Sequence, residues 1–162
     1  MVSGDLLLNT SALIIVGLLR QLGAEFRAGE TIRLHGDCHK GNILERPDEG
    51  LMMIDFDDML SGPPVQDLWL LLPGTTESCR AELELLLRGY ESIREFDRGS
   101  LRLIEPLRAM RMIYFLDWCA RQKGDFNFQE RYPDWGSDRF WRRECAALRE
   151  QSERIALAKS AK

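Results

Sequence analysis

The sequence predicts an α+β, mainly α, fold in which a small β unit follows one helix and precedes four or five more. Two stretches, before residue 27 and after residue 64, place apolar residues at helical spacing. Between them, three brief apolar runs alternate with turn-forming residues, as short strands do. The 162 residues have the size of one domain with a sizeable core, so we expect a single domain over residues 1–162.

Composition argues against several classes of protein. A net charge of −4 does not suit a nucleic-acid-binding surface, which is basic, so we expect no nucleic-acid partner. The four cysteines lie far apart without a C-x-x-C pair, which argues against a zinc ribbon or a disulfide framework. The longest apolar run, Ala12–Leu19, is much shorter than the roughly 20 residues that span a bilayer. We therefore expect a cytoplasmic protein without a membrane partner.

The first helix is predicted over Asp5–Phe26, with Gly23 near its end. Three strands are predicted, near residues 31–34, 43–45 and 51–55. The first and third strands are expected to be buried, because each is brief, apolar and bounded by turn formers. Pro47–Gly50 supplies the turn between the second and third strands, and Met59–Pro64 is predicted to be a loop.

Helices are predicted for most of the remaining chain. They cover Val65–Leu72, Thr76–Asp97, Ser100–Lys123 and Asp138–Lys159. The second of these is expected to be capped by Thr76 or Ser78, and the third by Ser100. The buried face of the third helix is expected to contain Leu103, Leu107, Met110, Ile113, Tyr114 and Trp118. Gly124–Trp135 is predicted to be an aromatic-rich loop.

The stretch from Ile32 to Asp58 carries both histidines and the densest set of groups that can move a proton or hold a metal. Asp37 and Asn42 lie on one short loop, and Asp55 follows a hairpin-length excursion that returns the chain to the same end of the unit. Oxygen atoms of these residue types bind hard cations. A further carboxylate can accept a proton from an attacking hydroxyl. The combination favours phosphoryl transfer, in which positioning and charge neutralisation do most of the work.

The segment His35–Asn42, with the sequence HGDCHKGN, resembles the catalytic loop of the aminoglycoside phosphotransferase and choline kinase group, which shares the protein-kinase fold. Ile54–Asp57 resembles the metal-binding segment of that group, with Asp57 where protein kinases usually have glycine. Gly62–Trp69 and Glu105–Arg111 resemble, more narrowly, a bacterial branch of stress-response serine/threonine protein kinases. The resemblance implies the C-terminal lobe of a protein-kinase-like fold, whose small β unit carries the catalytic loop and packs on a helical bundle.

The resemblance also implies an ATP-dependent phosphotransferase that acts on a hydroxyl acceptor. Asp37 would be the catalytic base, or the anchor for the acceptor hydroxyl. Asn42 and Asp55 would hold Mg²⁺ ions that bridge the ATP phosphates, so that Asp55 serves catalysis through the metal. Asp57 would help to hold the second ion. The acceptor would be a protein serine or threonine, or alternatively a small molecule such as an aminoglycoside, choline or a homoserine-like alcohol.

Four further residues are expected to support the loop or to contact phosphate. His35 would support the loop from beneath through hydrogen bonds. Asp67 would brace it by accepting backbone N–H bonds. His39 and Lys40 lie near the expected path of the transferred phosphoryl group, where they would either neutralise charge or remain solvated.

The chain departs from the kinase pattern before residue 35. Kinases of this fold carry a glycine-rich loop over the phosphates, and a lysine paired with a helix glutamate. No lysine precedes Lys40, and most of the residues before His35, those over Asp5–Phe26, show the pattern of a helix. We therefore expect the C-terminal lobe alone, with a nucleotide-binding N-terminal lobe that is missing or is supplied as a separate partner.

Interpretations from other classes are also open. A non-catalytic, kinase-derived binding or regulatory lobe would keep the same loop. Gly36–His39, G-D-C-H, resembles a binuclear metallophosphoesterase, but such a site requires more histidines than the two in this chain. An aromatic cage for a quaternary ammonium group could be formed by Trp69, Trp118, Trp135 and Trp141. Packing in a core or an interface is the commoner role of such residues.

Overall fold

The computed structural model describes residues 12–20 and 31–160. These residues fall into two compact units: a central unit within Ala28–Ile104, and a terminal unit that combines parts of Met1–Arg27 and Glu105–Lys162. Helices predominate over two small sheets, which confirms the predicted mainly α character. The expectation of a single lobe over residues 1–162 stays a prediction.

The central unit contains two antiparallel sheets of two strands each. In the first sheet, β1 (Ile32–Leu34) pairs with β4 (Leu60–Gly62). In the second, β2 (Ile43–Arg46) and β3 (Gly50–Met53) form a hairpin across the predicted turn. The three predicted strands are confirmed at or near their expected positions, although the third ends at Met53.

Two predictions about this β unit are wrong. The third strand is exposed rather than buried, and Leu51 has 74% of its surface accessible. A two-stranded hairpin can leave both faces open, so apolar residues there need not belong to a core. Leu60–Gly62 forms a strand where a loop was predicted. Its partner β1 is distant in sequence, and a pairing of that kind leaves no local pattern in a three-residue segment.

Three helical segments follow in the central unit: α2 (Val65–Trp69), α3 (Arg80–Glu91) and a 3₁₀ helix over Arg98–Leu103. Both α-helices are shorter than predicted. The expected caps Thr76 and Ser78 are wrong, because residues 76–79 form turns and Cys79 precedes the first helical residue. The buried side chains of this unit include Leu34, Val65, Leu68, Trp69, Leu83, Leu87, Phe96 and Leu103.

The terminal unit is helical in the part that the structure describes. It contains α1 (residues 12–20), nearly all of α4 (Ile104–Gln122), α5 (Phe128–Arg131) and α6 (Asp138–Ser160). The last helix is confirmed almost as predicted. The rest of the first predicted helix lies outside the described residues. One core joins α1, α4 and α6 and is formed by Leu18, Ala109, Leu116, Phe140, Leu148 and Ile155.

Helix α4 shows the limits of helical periodicity. It begins at Ile104, and Ser100 belongs to the preceding 3₁₀ helix, where its hydroxyl donates to the Asp97 carbonyl. Met110 and Tyr114 are 44% and 56% exposed, so their predicted burial is wrong. A period of 3.6 residues identifies a face, but the neighbouring elements decide how wide the buried part of that face is.

The segment that was predicted to be an aromatic-rich loop contains the short helix α5. Phe128, the first residue of this helix, is buried among other rings. Its ring centroid lies 6.3 Å from that of Trp118, 5.1 Å from that of Tyr132 and 5.8 Å from that of Trp135. This mutual packing favours the core interpretation of Trp118 and Trp135. Within residues 12–20 and 31–160, no helix combines the length and hydropathy that crossing a bilayer requires.

Candidate active site

The loop that carries Asp37 passes directly against the turn that carries Asp58. Gly36 has a φ of +87°, in the left-handed region. A β-carbon on Gly36 would lie 2.9 Å from the carbonyl carbon of Asp58 and closer still to its oxygen. Only glycine fits both the conformation and the space. The H-G-D sequence therefore brings the Asp37 loop onto the segment that follows Asp55.

His35 joins the same two segments from inside. Its side chain is buried, and Nε2 lies 2.9 Å from the backbone oxygen of Ile54. Since a carbonyl only accepts hydrogen bonds, Nε2 carries the proton, and Nδ1 accepts the Asp37 N–H at 3.4 Å. The ring also contacts Phe56, with centroids 4.8 Å apart. His35 thus ties Asp37 to both neighbours of Asp55.

Asp67, in the first turn of α2, braces the start of the loop. Its Oδ2 accepts the His35 N–H at 2.8 Å, and its Oδ1 accepts the Gly36 N–H at 3.0 Å. These are contacts of the kind that the resemblance implies for Asp67. A carboxylate that receives two backbone N–H groups holds the loop in a defined conformation, because charge-assisted hydrogen bonds are the stronger kind.

Asn42 connects Asp37 to the strand that leads to Asp55. Its buried amide donates from Nδ2 to the Asp37 backbone oxygen at 3.0 Å, and lies 3.5 Å from the Asp37 Oδ2. The backbone oxygen of Asn42 accepts the Ile54 N–H at 3.0 Å. Asp37, Asn42 and the residue before Asp55 therefore form one hydrogen-bonded set.

Asp55 itself is exposed and has a φ of +63°. A non-glycine residue in the left-handed region costs about 1 kcal/mol or more, although Asp and Asn tolerate it best. Asp57 and Asp58 follow in an exposed turn. Such strain at a polar residue beside a loop of chemistry-bearing groups is a reason to assign Asp55 a function.

His39 contacts other parts of its own loop through both ring nitrogens. Its Nδ1 accepts the Gly41 N–H at 2.9 Å, and its Nε2 faces the Asp37 Oδ2 at 3.3 Å. Lys40 is exposed at the first position of the 3₁₀ turn Lys40–Asn42. His39 is therefore engaged with the candidate base, whereas Lys40 faces solvent.

Cys38 contributes no nucleophile to the loop. Burial raises the pKa of its thiol to about 11, and the nearby carboxylates of Asp67 and Asp37 add to the effect. A thiol with this pKa is protonated at neutral pH, and the thiolate is the reactive form. All four cysteines are buried free thiols.

The candidate metal ligands are Asn42, Asp55 and Asp57. In the part of the chain that the structure describes, no three His, Cys, Asp or Glu side chains converge on a ready-made metal site. Mg²⁺ commonly takes one or two carboxylates together with substrate phosphates and water. The side-chain oxygen atoms of Asn42 and Asp55 are of the type that binds Mg²⁺ in proteins.

Sequence reasoning missed the parts of this site that do no chemistry themselves. Gly36 and Gly41 are the spacers that allow close approach, and the Ile54 carbonyl and Phe56 hold His35. The sequence did contain a signal for these close approaches, because the H-G-D-x-H-x-G-N pattern places glycines between polar residues.

A carboxylate and an amide on a braced loop, with a second carboxylate on the neighbouring segment, have the composition of a phosphoryl-transfer site. The model of the phosphotransferase enzyme family matches residues 8–104, more than half of the chain. The chain therefore belongs to the phosphotransferase enzyme family, which has a protein-kinase-like fold.

Within this family, the chain is similar to several bacterial proteins that are named as kinases. Stress response kinase A of Salmonella choleraesuis (strain SC-B67) is 46% identical over 123 residues, which are 76% of this chain and 37% of that protein. Stress response kinase A of Escherichia coli (strain K12) is 44% identical over 137 residues, covering 84% of this chain and 41% of that protein. The serine/threonine protein kinase RdoA of Salmonella typhimurium (strain LT2) is 45% identical over 123 residues. The predicted family and branch are confirmed, and the chain spans about two fifths of these relatives.

Proposed function

We propose that this chain is the catalytic C-terminal lobe of an ATP-dependent phosphotransferase that transfers the γ-phosphoryl group to a hydroxyl, most specifically to serine or threonine in proteins. The observation that carries the proposal is the hydrogen-bonded set of Asp37, Asn42 and Ile54, which joins the candidate base to the segment of Asp55. Phosphoryl transfer depends on such positioning more than on covalent chemistry by the protein.

In the proposed reaction, the hydroxyl oxygen of the acceptor attacks the γ-phosphorus of ATP, the bond from that phosphorus to the bridging β–γ oxygen breaks, and ADP leaves. Asp37 accepts the proton of the attacking hydroxyl, or anchors that hydroxyl in line. Asn42 and Asp55 are the residues that would hold Mg²⁺, with Asp57 helping, and bound Mg²⁺ neutralises charge on the phosphate oxygens. Asp67 and His35 keep the loop in shape through their hydrogen bonds to its backbone. Lys40, exposed on the same loop, would meet phosphate charge.

Three features of the proposal come from the relatives or from composition. The name of the Salmonella typhimurium relative supports a protein serine or threonine as acceptor. The chain matches only about two fifths of the length of these relatives. This partial match supports a second lobe that binds nucleotide, as part of the same protein or as a partner. The four free thiols and the requirement for ATP support a cytoplasmic location.

The test uses a chimera in which this chain replaces the matching segment of the Escherichia coli relative, with the parent protein as the folding and activity control. Transfer from γ-labelled ATP is measured to serine/threonine peptides, choline, homoserine and an aminoglycoside. We expect peptide phosphorylation that Asp37→Asn lowers by roughly two to four powers of ten. Transfer only to a small molecule would establish the small-molecule kinase instead. A folded chimera that transfers to none of them would favour the non-catalytic lobe.

The chain alone provides a second measurement. No lysine precedes Lys40, so a phosphate-binding lysine of the usual kind is absent from that part of the sequence. Calorimetry with Mg-ATP should find no affinity tighter than about 100 μM, roughly −5.5 kcal/mol. Micromolar binding by the chain alone would contradict the need for a second lobe.

A further inference from the structure

The imidazole of His39 is held at both nitrogens. Its Nδ1 lies 2.9 Å from the backbone nitrogen of Gly41, and its Nε2 lies 3.3 Å from the Oδ2 of Asp37. The ring therefore bridges the 3₁₀ turn and the carboxylate that the proposed function assigns as base. The side chains of His39 and Asp37 are 39% and 21% exposed. Solvent screening at such a site makes the pair more important for geometry than for stability.

The two contacts together define the tautomer of His39. A backbone N–H can only donate, so Nδ1 must present its lone pair to Gly41. The proton of the neutral ring then sits on Nε2, and Nε2–H points its positive end at the Asp37 carboxylate. The Gly41 contact thus determines that His39 is a donor toward Asp37.

The loop is shaped to seat this ring. A β-carbon on Gly41 would lie 2.8 Å from the Cε1 of His39 and 3.0 Å from its Nδ1, so any larger residue would displace the imidazole. Gly41 is not in the left-handed region, so its backbone conformation does not require glycine. Glycine is needed at position 41 because a side chain there would occupy the space of the His39 ring.

His39 and Asn42 approach the same oxygen of Asp37. Asn42 Nδ2 lies 3.5 Å from Oδ2, beside the 3.3 Å contact from His39. Two donors on one oxygen restrict rotation of the carboxylate about its Cβ–Cγ bond. Restricted rotation matters for a base, because proton transfer requires the accepting oxygen to meet the acceptor hydroxyl within hydrogen-bond reach.

We propose that His39 is a positioning residue: held by the Gly41 N–H as an Nε2–H donor, it orients the Asp37 carboxylate toward the acceptor hydroxyl. The inference rests on the proposed phosphotransferase function and gives His39 a role other than contact with the transferred phosphoryl group. A positioning role affects kcat, whereas a phosphate contact made in the ground state affects the KM for ATP as well.

Two variants separate the two contacts of the ring. In His39→Asn, the side-chain oxygen can still accept the Gly41 N–H, but no donor reaches Asp37. In His39→Gln, the amide nitrogen can reach the position of Nε2, but the acceptor for Gly41 is lost. In the active chimera, we expect His39→Asn to lower kcat about tenfold, the lower end of the range for residues that orient a functional group, with an unchanged KM for ATP. His39→Gln should keep kcat within about threefold of the wild type, since the donor remains.

A double-mutant cycle completes the test. If His39 acts through Asp37, His39→Asn should cause no further loss in an Asp37→Asn background. Gly41→Ala, which displaces the ring, should reproduce the kcat loss of His39→Asn. Thermal unfolding of each variant separates a loss of kcat from a loss of folded protein.

The possible outcomes are distinct. Activity kept in His39→Asn but lost in His39→Gln would show that His39 only caps the turn. A raised KM for ATP in both variants would show a phosphate contact, and multiplying losses in the cycle would show independent roles. Each of these overturns the inference while the phosphotransferase function stands. A folded wild-type chimera without any transfer would overturn the proposed function itself, and the positioning role with it.

Discussion

Gly36 and Asp58 lie so close that no side chain fits between them: a β-carbon on Gly36 would lie 2.9 Å from the carbonyl carbon of Asp58. This approach, together with the bonds made by His35, brings the loop of Asp37 and the segment of Asp55 to the same place. The proposed phosphotransferase function depends on that proximity, and the positioning role of His39 rests on that function.

Gly36→Ala should destabilise the chain by at least about 3 kcal/mol, because it adds a clash with backbone to the cost of a left-handed residue. Gly50→Ala is the matched control. Gly50 has nearly the same φ, +85°, but a β-carbon there would meet no other atom within 4 Å. The control should cost only the backbone term, about 1–2 kcal/mol. Urea denaturation of both variants measures the difference, and equal losses would show that the close approach is not maintained in solution.

Asp67→Asn should loosen the start of the catalytic loop. The amide has one oxygen in place of two, so at least one of the His35 and Gly36 N–H groups loses its acceptor, at a cost of about 1–3 kcal/mol. Hydrogen exchange of these two amides should accelerate. Asp125→Asn is the control, since an amide oxygen can still accept the single Asn127 N–H at that exposed turn. Unchanged exchange at residues 35 and 36 would exclude the bracing role.

Asp37→Asn in the active chimera should retain Mg-ATP binding, because it keeps the shape of the side chain and removes only the base. Turnover should fall by roughly two to four powers of ten, the scale of general-base loss. Calorimetry and initial rates measure the two effects separately. Normal turnover in this variant would remove Asp37 from the reaction.

Asp55→Asn should make nucleotide affinity more dependent on magnesium concentration and should lower turnover, because a charge facing the cation is lost. Asparagine is the appropriate replacement, since it tolerates the left-handed φ of +63° about as well as aspartate does. Binding isotherms at several magnesium concentrations provide the measurement. Undiminished turnover at saturating metal would show that Asp55 is no ligand.

The ion-pair fork of Arg98 should make stability depend on acidic pH. Its guanidinium donates to Glu84 at 2.9 and 3.0 Å and to Glu91 at 2.7 and 2.8 Å. Hydrogen bonds from Arg98 hold the pKa of both carboxyl groups below the ordinary value of 4.5. Because these pKa values are lower in the folded state, the stabilisation is present above pH 4.5 and disappears as the pH falls through the folded values.

Arg98→Gln should therefore be less stable than the wild type near neutral pH, and the gap should narrow as the medium is acidified below the pKa values of the two folded carboxyl groups. Denaturant titrations under both conditions measure it, with the exposed Arg142→Gln as control for the loss of one positive charge. A gap of equal size under both conditions would show that the fork contributes through packing rather than through charge.

Local patterns were sufficient for part of the fold. The strands β1, β2 and β3 were predictable because brief apolar runs between turn formers are short-range features, and α6 because its periodicity continues over many turns. Strand β4 was missed because its pairing with β1 joins distant segments. Met110 and Tyr114 were misassigned because packing partners, rather than periodicity, set their exposure.

For the candidate site, the sequence by itself determined which groups are present and their order: Asp37, Asn42, Asp55 and Asp67, with the glycines between them. Residue type and spacing carry that information, because they limit the chemistry that a loop can perform. Only the tertiary structure decided that the ring of His39 faces Asp37 and that Gly36 passes against Asp58. The direction of a side chain depends on rotamers and on hydrogen-bond partners brought together by folding, and neither is written in the spacing of residues along the chain.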